Sequence, residues 1–265
     1  MDLGIAGRTA LVTGASRGIG RAIAETLARE GCHLHLAARD ADRLHAAARE
    51  IADRHGVRVQ VHQADLAQRG AHEALVAVCA DADILVNNAG AVPRGDILEV
   101  DEETWRSGWE LKVFGYIAMT RAMYARMAER GAGVIVNVIG IGGEKLEYAY
   151  AAGSTGNAAL MAMTRAVGSG SIEHGVRILG VNPGWVETDR SRASLGRRAQ
   201  QELGDVGRWR ELVKDWPRGA LIQPQEIADV VAFCASARAS ALSGVIVTVD
   251  AGFSARGYPL PKRTA

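Results

Sequence analysis

An excess of charge of one sign, a long apolar run and clustered cysteine are all missing from this chain of 265 residues, and each absence removes a class of protein. Its 31 basic residues stand against 30 acidic ones, so it has no basic footprint for nucleic acid. The longest apolar stretch near the middle, Val134 to Ile141, falls far short of the roughly 20 residues of a membrane span. The opening Met1-Asp2-Leu3-Gly4 lacks the basic-then-apolar layout of a secretory signal. Cys32, Cys79 and Cys234 are far apart and without metal-ligand spacing. They read as buried thiols in a reducing compartment rather than as a disulfide framework. The seven histidines (His33, His35, His45, His55, His62, His72, His174) show no metal-ligand grouping either, so no metal site is expected. Repeats and low-complexity tracts are absent as well. The expectation is a soluble, cytoplasmic protein.

What is present points to one α/β domain spanning residues 1–265. A 48% hydrophobic content excludes disorder, and the length allows a substantial core. Short β-branched runs at Thr9–Thr13, His33–Ala37, Val57–His62, Ile84–Asn87, Val134–Val138, Arg177–Asn182 and Val245–Val249 read as strands. Helical patterns alternate with them at Ile19–Glu30, Ala41–His55, Ala71–Ala80, Glu102–Arg130, Tyr150–Glu173 and Pro224–Ser236. Strands apolar on both faces and separated by helices predict a Rossmann-type, doubly wound parallel sheet of seven strands, helices on both faces. Ligands then belong at the carboxyl ends of the strands. Between Thr188 and Gly219 the rhythm breaks: no strand signal, seven arginines, and Trp209 and Trp216 among charges. Residues 189–219 read either as an amphipathic surface helix pair or as a substrate lid.

The first strand runs into Thr13-Gly14-Ala15-Ser16-Arg17-Gly18-Ile19-Gly20 and then directly into a helix. Such glycines permit a tight turn and close backbone approach to a pyrophosphate, while the helix N-terminus offers free N–H groups and a favourable dipole. The second strand ends in Ala38-Arg39 where an NAD site usually has a carboxylate. A guanidinium there suits the 2′-phosphate of NADP(H), with Arg17 as a second positive charge and Asp40 as a helix cap.

On the Thr13–Gly20 turn, Asp65-Leu66, Asn87-Asn88-Ala89-Gly90, Pro183-Gly184-Trp185-Val186-Glu187-Thr188 and Val249-Asp250-Ala251-Gly252, the chain resembles the short-chain dehydrogenase/reductase family over essentially its whole length. The resemblance implies that Asp65 and Leu66 border the adenine and that Asn88, Ala89 and Gly90 border the adenosine ribose. Pro183, Gly184, Val186 and Thr188 would lie along the nicotinamide. A homotetramer or homodimer is implied too, joined through the two long helices and the C-terminal strand region. The tail, Ala255 to Ala265, with Pro259 and Pro261, either is disordered or reaches a neighbouring subunit.

The family's catalytic Asn, Ser, Tyr and Lys are not matched. Aligned on Ala158-Ala159-Leu160, Gly153 falls where the Tyr belongs and Asn157 where the Lys belongs. Gly140 stands in the Ser position, and Lys112 in the Asn position. Tyr150 precedes Asn157 by about two helical turns, so both can share one face. That interval is similar to the wider Tyr–Lys spacing of enoyl reductases in the same superfamily. The expected roles are Tyr150 as proton donor, Lys112 as electrostatic support and Asn157 as a ribose contact. The alternatives are a packed helix-start aromatic and an ordinary surface lysine. Glu144 and Lys145, in the loop after the fifth strand, read as an acid–base pair or as solvated charges.

Three functions follow. The first is an NADP(H)-dependent oxidoreductase with an atypical site, acting on a small molecule with a bulky or conjugated carbonyl, C=C or C=N group. The second is a non-catalytic NADP(H)-binding sensor or assembly subunit. The third is a non-redox lyase or hydratase working through Glu144.

Overall fold

The computed structural model describes residues 1–256; the expectation for the C-terminal tail falls largely on residues 257–265, outside that range. The seven strands are β1 (Thr9–Thr13), β2 (His33–Ala38), β3 (Val59–Gln63), β4 (Ile84–Asn87), β5 (Gly133–Val138), β6 (Val176–Pro183) and β7 (Ile246–Val249). They form one sheet in the order β3-β2-β1-β4-β5-β6-β7, all neighbours parallel. Every residue of β5 and β6 is buried, which is why these segments read as continuous apolar runs. The edge strand β3 is only partly covered.

One face carries α1 (Gly18–Arg29), α2 (Ala41–His55) and α8 (Pro224–Ala235), whose Ile23, Leu27, Leu44, Ile51, Ile227 and Val231 join the largest apolar core. On the other lie α3 (Ala71–Val78), α5 (Gly115–Arg130) and α6 (Ala151–Ser171), packed through Leu75, Met119, Met123, Met127 and Leu160. Local chemistry sets the ends. Asp40 caps α2 by accepting from the Arg43 N–H at 3.1 Å, and Gly56, at φ +68°, closes it in the left-handed conformation.

The single helix expected over Glu102–Arg130 is corrected. It is α4 (Glu102–Trp109), a π turn over Glu110–Phe114, and then α5. A π turn adds a residue to one turn and shifts the register, a feature often found at functional positions; here it carries Lys112. Residues Asp189–Leu203 form α7, followed by 3-10 turns at Val206–Val213 and Pro217–Gly219. This segment has its own small apolar cluster, Leu195, Val213 and Leu221 with Trp185, Trp209 and Trp216 against it. No helix among the described residues is long and apolar enough to cross a membrane.

Candidate active site

The glycine turn is braced from β4. Thr13 Oγ1 accepts from the backbone N–H groups of Asn88 (2.9 Å) and Ala89 (3.1 Å), and Asn88 Nδ2 donates to the Thr13 carbonyl at 3.0 Å. Gly14 and Gly18 hold φ values of +68° and +58°, which side-chain-bearing residues rarely adopt. At Gly20 a Cβ would run into the Gly14 carbonyl, so a glycine there lets α1 press against the turn.

Beyond this turn, along the carboxyl ends of the strands, runs a cleft of about 760 Å³. Gly14, Ser16, Arg17, Gly18 and Ile19 line it at the turn, Arg39 and Leu66 at one end. Asn88, Ala89, Gly90, Pro183, Gly184 and Thr188 line it further along. Five of the expected residues stand back from it, the catalytic candidates Tyr150 and Asn157 among them. Gly20 packs inside the turn; the Asp65 carboxylate accepts from the Ala67 N–H at 3.2 Å within its own loop; the Val186 side chain belongs to the core. Arg43 and Arg190 also line the cleft and were missed from sequence. Arg43, in the first turn of α2 just past Arg39, was discoverable from its place after the end of β2. Arg190 was hidden among the arginines of residues 189–219; its Nη2 donates to the Gly90 carbonyl at 3.1 Å.

The cleft fits an elongated, phosphate-bearing ligand. Its floor at the turn is glycine backbone at a helix N-terminus, and Arg17, Arg39 and Arg43 gather at the end where β2 stops. Asp40 is engaged with the Arg43 N–H and, at 3.2 Å, with the Arg43 guanidinium, which leaves that end predominantly positive.

Lys112 also lines the cleft, and it is buried. Gly90 makes room for it, since a Cβ there would collide with the lysine chain. Its Nζ donates to Tyr116 Oη (3.1 Å) and to the carbonyls of Val138 (2.9 Å) and Ile139 (3.1 Å). Burial first, and then the Arg190 guanidinium, push its pKa down to about 7. Lys112 is therefore no ordinary surface lysine.

Tyr150 and Asn157 meet at the loop after β5. A Cβ built on Gly142 would stand 3.2 Å from Tyr150 Cε1 and 3.3 Å from Asn157 Nδ2, so the two side chains do lie on one face. Gly140, at φ +128°, lets the loop press down on α6. Tyr150 does not enter α6 but precedes it as its N-cap, and its ring folds back over Gly153, filling the space that a side chain at Gly153 would need. The Arg94 guanidinium lies 4.8 Å from the Tyr150 ring and 5.1 Å from that of Trp185, and it pairs with Glu147. Burial raises the Tyr150 pKa against the opposing pull of Arg94 and Arg190. Asn157 Oδ1 is buried with no hydrogen-bond partner among the described residues.

Glu144 accepts from Thr248 Oγ1 at 2.9 Å, and Lys145 donates to the Phe253 carbonyl at 3.2 Å, so the two charges tie the loop to β7 and to the chain after it. Spacing along the chain shows no histidine grouping, but the fold supplies a spatial one. The fold brings His35, His62 and Cys79 together, with their ligand atoms all within 4.8 Å of one another, because β2, β3 and the end of α3 adjoin.

A parallel doubly wound sheet with a glycine turn opening a phosphate-fitting cleft defines a nucleotide-binding oxidoreductase type of domain. The family description "short chain dehydrogenase" matches residues 8–198, and the chain belongs to that family. It is 34% identical over 250 residues to galactitol 2-dehydrogenase (L-tagatose-forming) of Cereibacter sphaeroides, covering 94% of this chain and 95% of that one. With the 2-keto-3-deoxy-L-fuconate dehydrogenase of Xanthomonas campestris the identity is 32% over 253 residues, 94% of this chain and 80% of the relative. Among solved structures, L-sorbose reductase from Gluconobacter frateurii, complexed with NADPH and L-sorbose, superimposes with a TM-score of 0.90. It shares 33% identity and is covered in full by 97% of this chain.

Proposed function

We propose that this protein is an NADP(H)-dependent oxidoreductase whose proton donor is Tyr150, reaching the site from one turn ahead of the usual position. The observation that carries this reading is the Tyr150 ring lying over Gly153. A tyrosine in the family's position and the tyrosine of this chain would compete for the same space. Gly153 and Gly140 are read as positions vacated by the family's Tyr and Ser, and Lys112 and Asn157 as replacements for its Asn and Lys.

The cofactor, when bound, supplies or accepts the hydride. Arg39, Arg17 and Arg43 would hold its 2′-phosphate, and the glycine turn its pyrophosphate. Tyr150 remains protonated because burial raises its pKa. It donates its proton to the substrate atom that gains negative charge as hydride arrives. Lys112 acts through its charge: all three of its N–H groups are directed at oxygens of the cleft wall, so it stabilises the developing anion by its field. Asn157 Oδ1 is buried without a partner among the described residues, and its side chain packs against Gly140 and Gly142, one layer behind the cleft lining, so a ribose contact requires that loop to shift.

The substrate is a small molecule with a carbonyl, C=C or C=N group. Outside the residues that line the cleft runs an aromatic chain: Arg94 bridges Tyr150 to Trp185, Trp185 meets Trp216 at 5.5 Å, and Trp216 meets Phe253 at 5.0 Å. Flat, bulky or conjugated substrates suit this wall. Trp216 belongs to residues 189–219, which supports reading that segment as a lid.

The test is deuterium transfer from 4-deuterated NADPH, both faces labelled, into a pool of ketoses, enones and imines, read by mass spectrometry. Label in one product supports the reading, and Tyr150→Phe then lowers its rate by about a hundredfold or more. Tight NADPH binding without label in any product favours a non-catalytic binding protein. An unchanged rate in Tyr150→Phe sinks the assignment of the donor.

A further inference from the structure

A second cluster of reactive groups lies below the adenosine end of the cleft, on the sheet face that α3 covers. His35 and Ala37 point to one side of β2, and the register sets His62 of β3 beside Ala37. The two imidazoles meet edge to edge, with His35 Nδ1 2.8 Å from His62 Nε2. Cys79 closes the group from the end of α3. Its thiol is fully buried and makes no hydrogen bond among the described residues, unlike Cys32, whose thiol donates to the Ile5 carbonyl.

The outer nitrogen of His35 is held by a carboxylate. His35 Nε2 lies 3.0 Å from Asp81 Oδ1, and a carboxylate only accepts, so the proton sits on Nε2 and leaves a bare lone pair on Nδ1. That lone pair faces His62 and Cys79. A carboxylate behind a histidine that points its other nitrogen inward is the arrangement that orients metal-bound imidazoles and makes them stronger ligands.

We propose that His35 Nδ1, His62 Nε2 and Cys79 Sγ form a binding site for a late first-row divalent cation of the zinc class. Two imidazoles and a thiolate are donors of the softness such ions favour. Four-coordinate metal–nitrogen and metal–sulfur bonds of about 2.0 and 2.3 Å need ligand atoms about 3.3–3.6 Å apart, so the imidazole nitrogens, now 2.8 Å apart, part by about half an ångström and the thiol, within 4.8 Å of both, completes the set. The ion takes the place of the hydrogen now shared between the imidazoles. His62, half-buried, moves its proton from Nε2 to Nδ1 through solvent, and the Cys79 thiol gives its proton to water as the metal–sulfur bond forms. One proton is released per ion, and a water fills the fourth position. The ion would tie the edge strand β3 and the end of α3 to β2, whose Ala37 and Ala38 line the cleft.

The experiment uses the purified, full-length protein, stripped of metal and kept reduced, titrated with Co²⁺ as the probe. The expected result is one ion per chain, with a near-ultraviolet thiolate-to-cobalt charge-transfer band and the intense visible bands of four-coordinate cobalt, bleached by Zn²⁺. Cys79→Ser abolishes the charge-transfer band, Cys234→Ser leaves it intact, and Asp81→Asn weakens binding by about ten- to a hundredfold. Should Cys79→Ser fail to fold, His62→Gln, at a half-buried position, provides the decision: it removes the four-coordinate spectrum. No cobalt uptake, six-coordinate spectra without charge transfer, a charge-transfer band that survives in Cys79→Ser, or a four-coordinate spectrum that survives in His62→Gln would each overturn the proposal.

Discussion

Lys112 concentrates the chemistry of the cleft into one titration. Its folded pKa of about 7 lies below the roughly 10.4 of an unfolded lysine. Between those values the unfolded chain binds more protons than the folded one, so stability rises with pH across that window. Lys112→Met is expected to remove that slope in urea unfolding at several pH values; a slope that persists would show the lysine to be solvated. For activity the sign reverses, because the charged form is the useful one. The reduction rate is expected to fall as pH rises through about 7, and Lys112→Met to be about a hundredfold slower with a flattened profile. A second prediction concerns Gly153. Gly153→Ala pushes the Tyr150 ring aside, so it should cost about 1–3 kcal/mol of stability by overpacking. It should also slow turnover as Tyr150→Phe does, while leaving the Kd for NADPH unchanged. An active, fully stable Gly153→Ala enzyme would separate Tyr150 from the chemistry.

Residues 189–219 behave differently from the elements they border. Their apolar contacts form a satellite cluster around Leu195, Val213 and Leu221, separate from the cores on either side of the sheet. Small, isolated clusters open locally at low cost. Arg190 at the head of α7 reaches the Gly90 carbonyl across the cleft, so an occupied cleft is expected to hold the segment down. Amide exchange over residues 189–219 should slow on adding NADPH, while α8, buried against α1, changes little. Equal exchange with and without NADPH would mean a fixed helix pair rather than a lid. The π turn belongs to the same scale: the period of Glu102–Arg130 forecast a helix, yet periodicity does not register one added residue inside a turn. The turn is visible only in the hydrogen bonding around Lys112.

Across the whole molecule, the outer surface of the π turn and α5 leaves Phe114 and Ile117 exposed beside charged residues. A face of this kind, on one of the two long helices, suits association with a second copy, and light scattering coupled to size exclusion is expected to report a dimer or tetramer. A monomer at micromolar concentration would refute this. The alternation of strands and helices was legible because each element carries its own period, and the glycine turn was legible because its residues adjoin. Arg43 and Arg190 escaped notice because the cleft draws its walls from segments far apart in the chain. The histidine–cysteine cluster escaped for the same reason: His35, His62 and Cys79 come from three elements that only the sheet order makes neighbours.

The amino-acid sequence by itself determined the doubly wound architecture and the strand-to-glycine-to-helix entry of the cleft. These depend on spacing along a strand, a turn or a single helix, where backbone geometry converts position directly into direction. Only the tertiary structure decided that Tyr150 fills the space over Gly153, that Lys112 is buried against the carbonyls of β5, and that Asp65 and Val186 turn away from the cleft. Each of those outcomes depends on which distant backbone carbonyl or ring comes within contact distance, and on the water it excludes. Local periodicity carries no record of either.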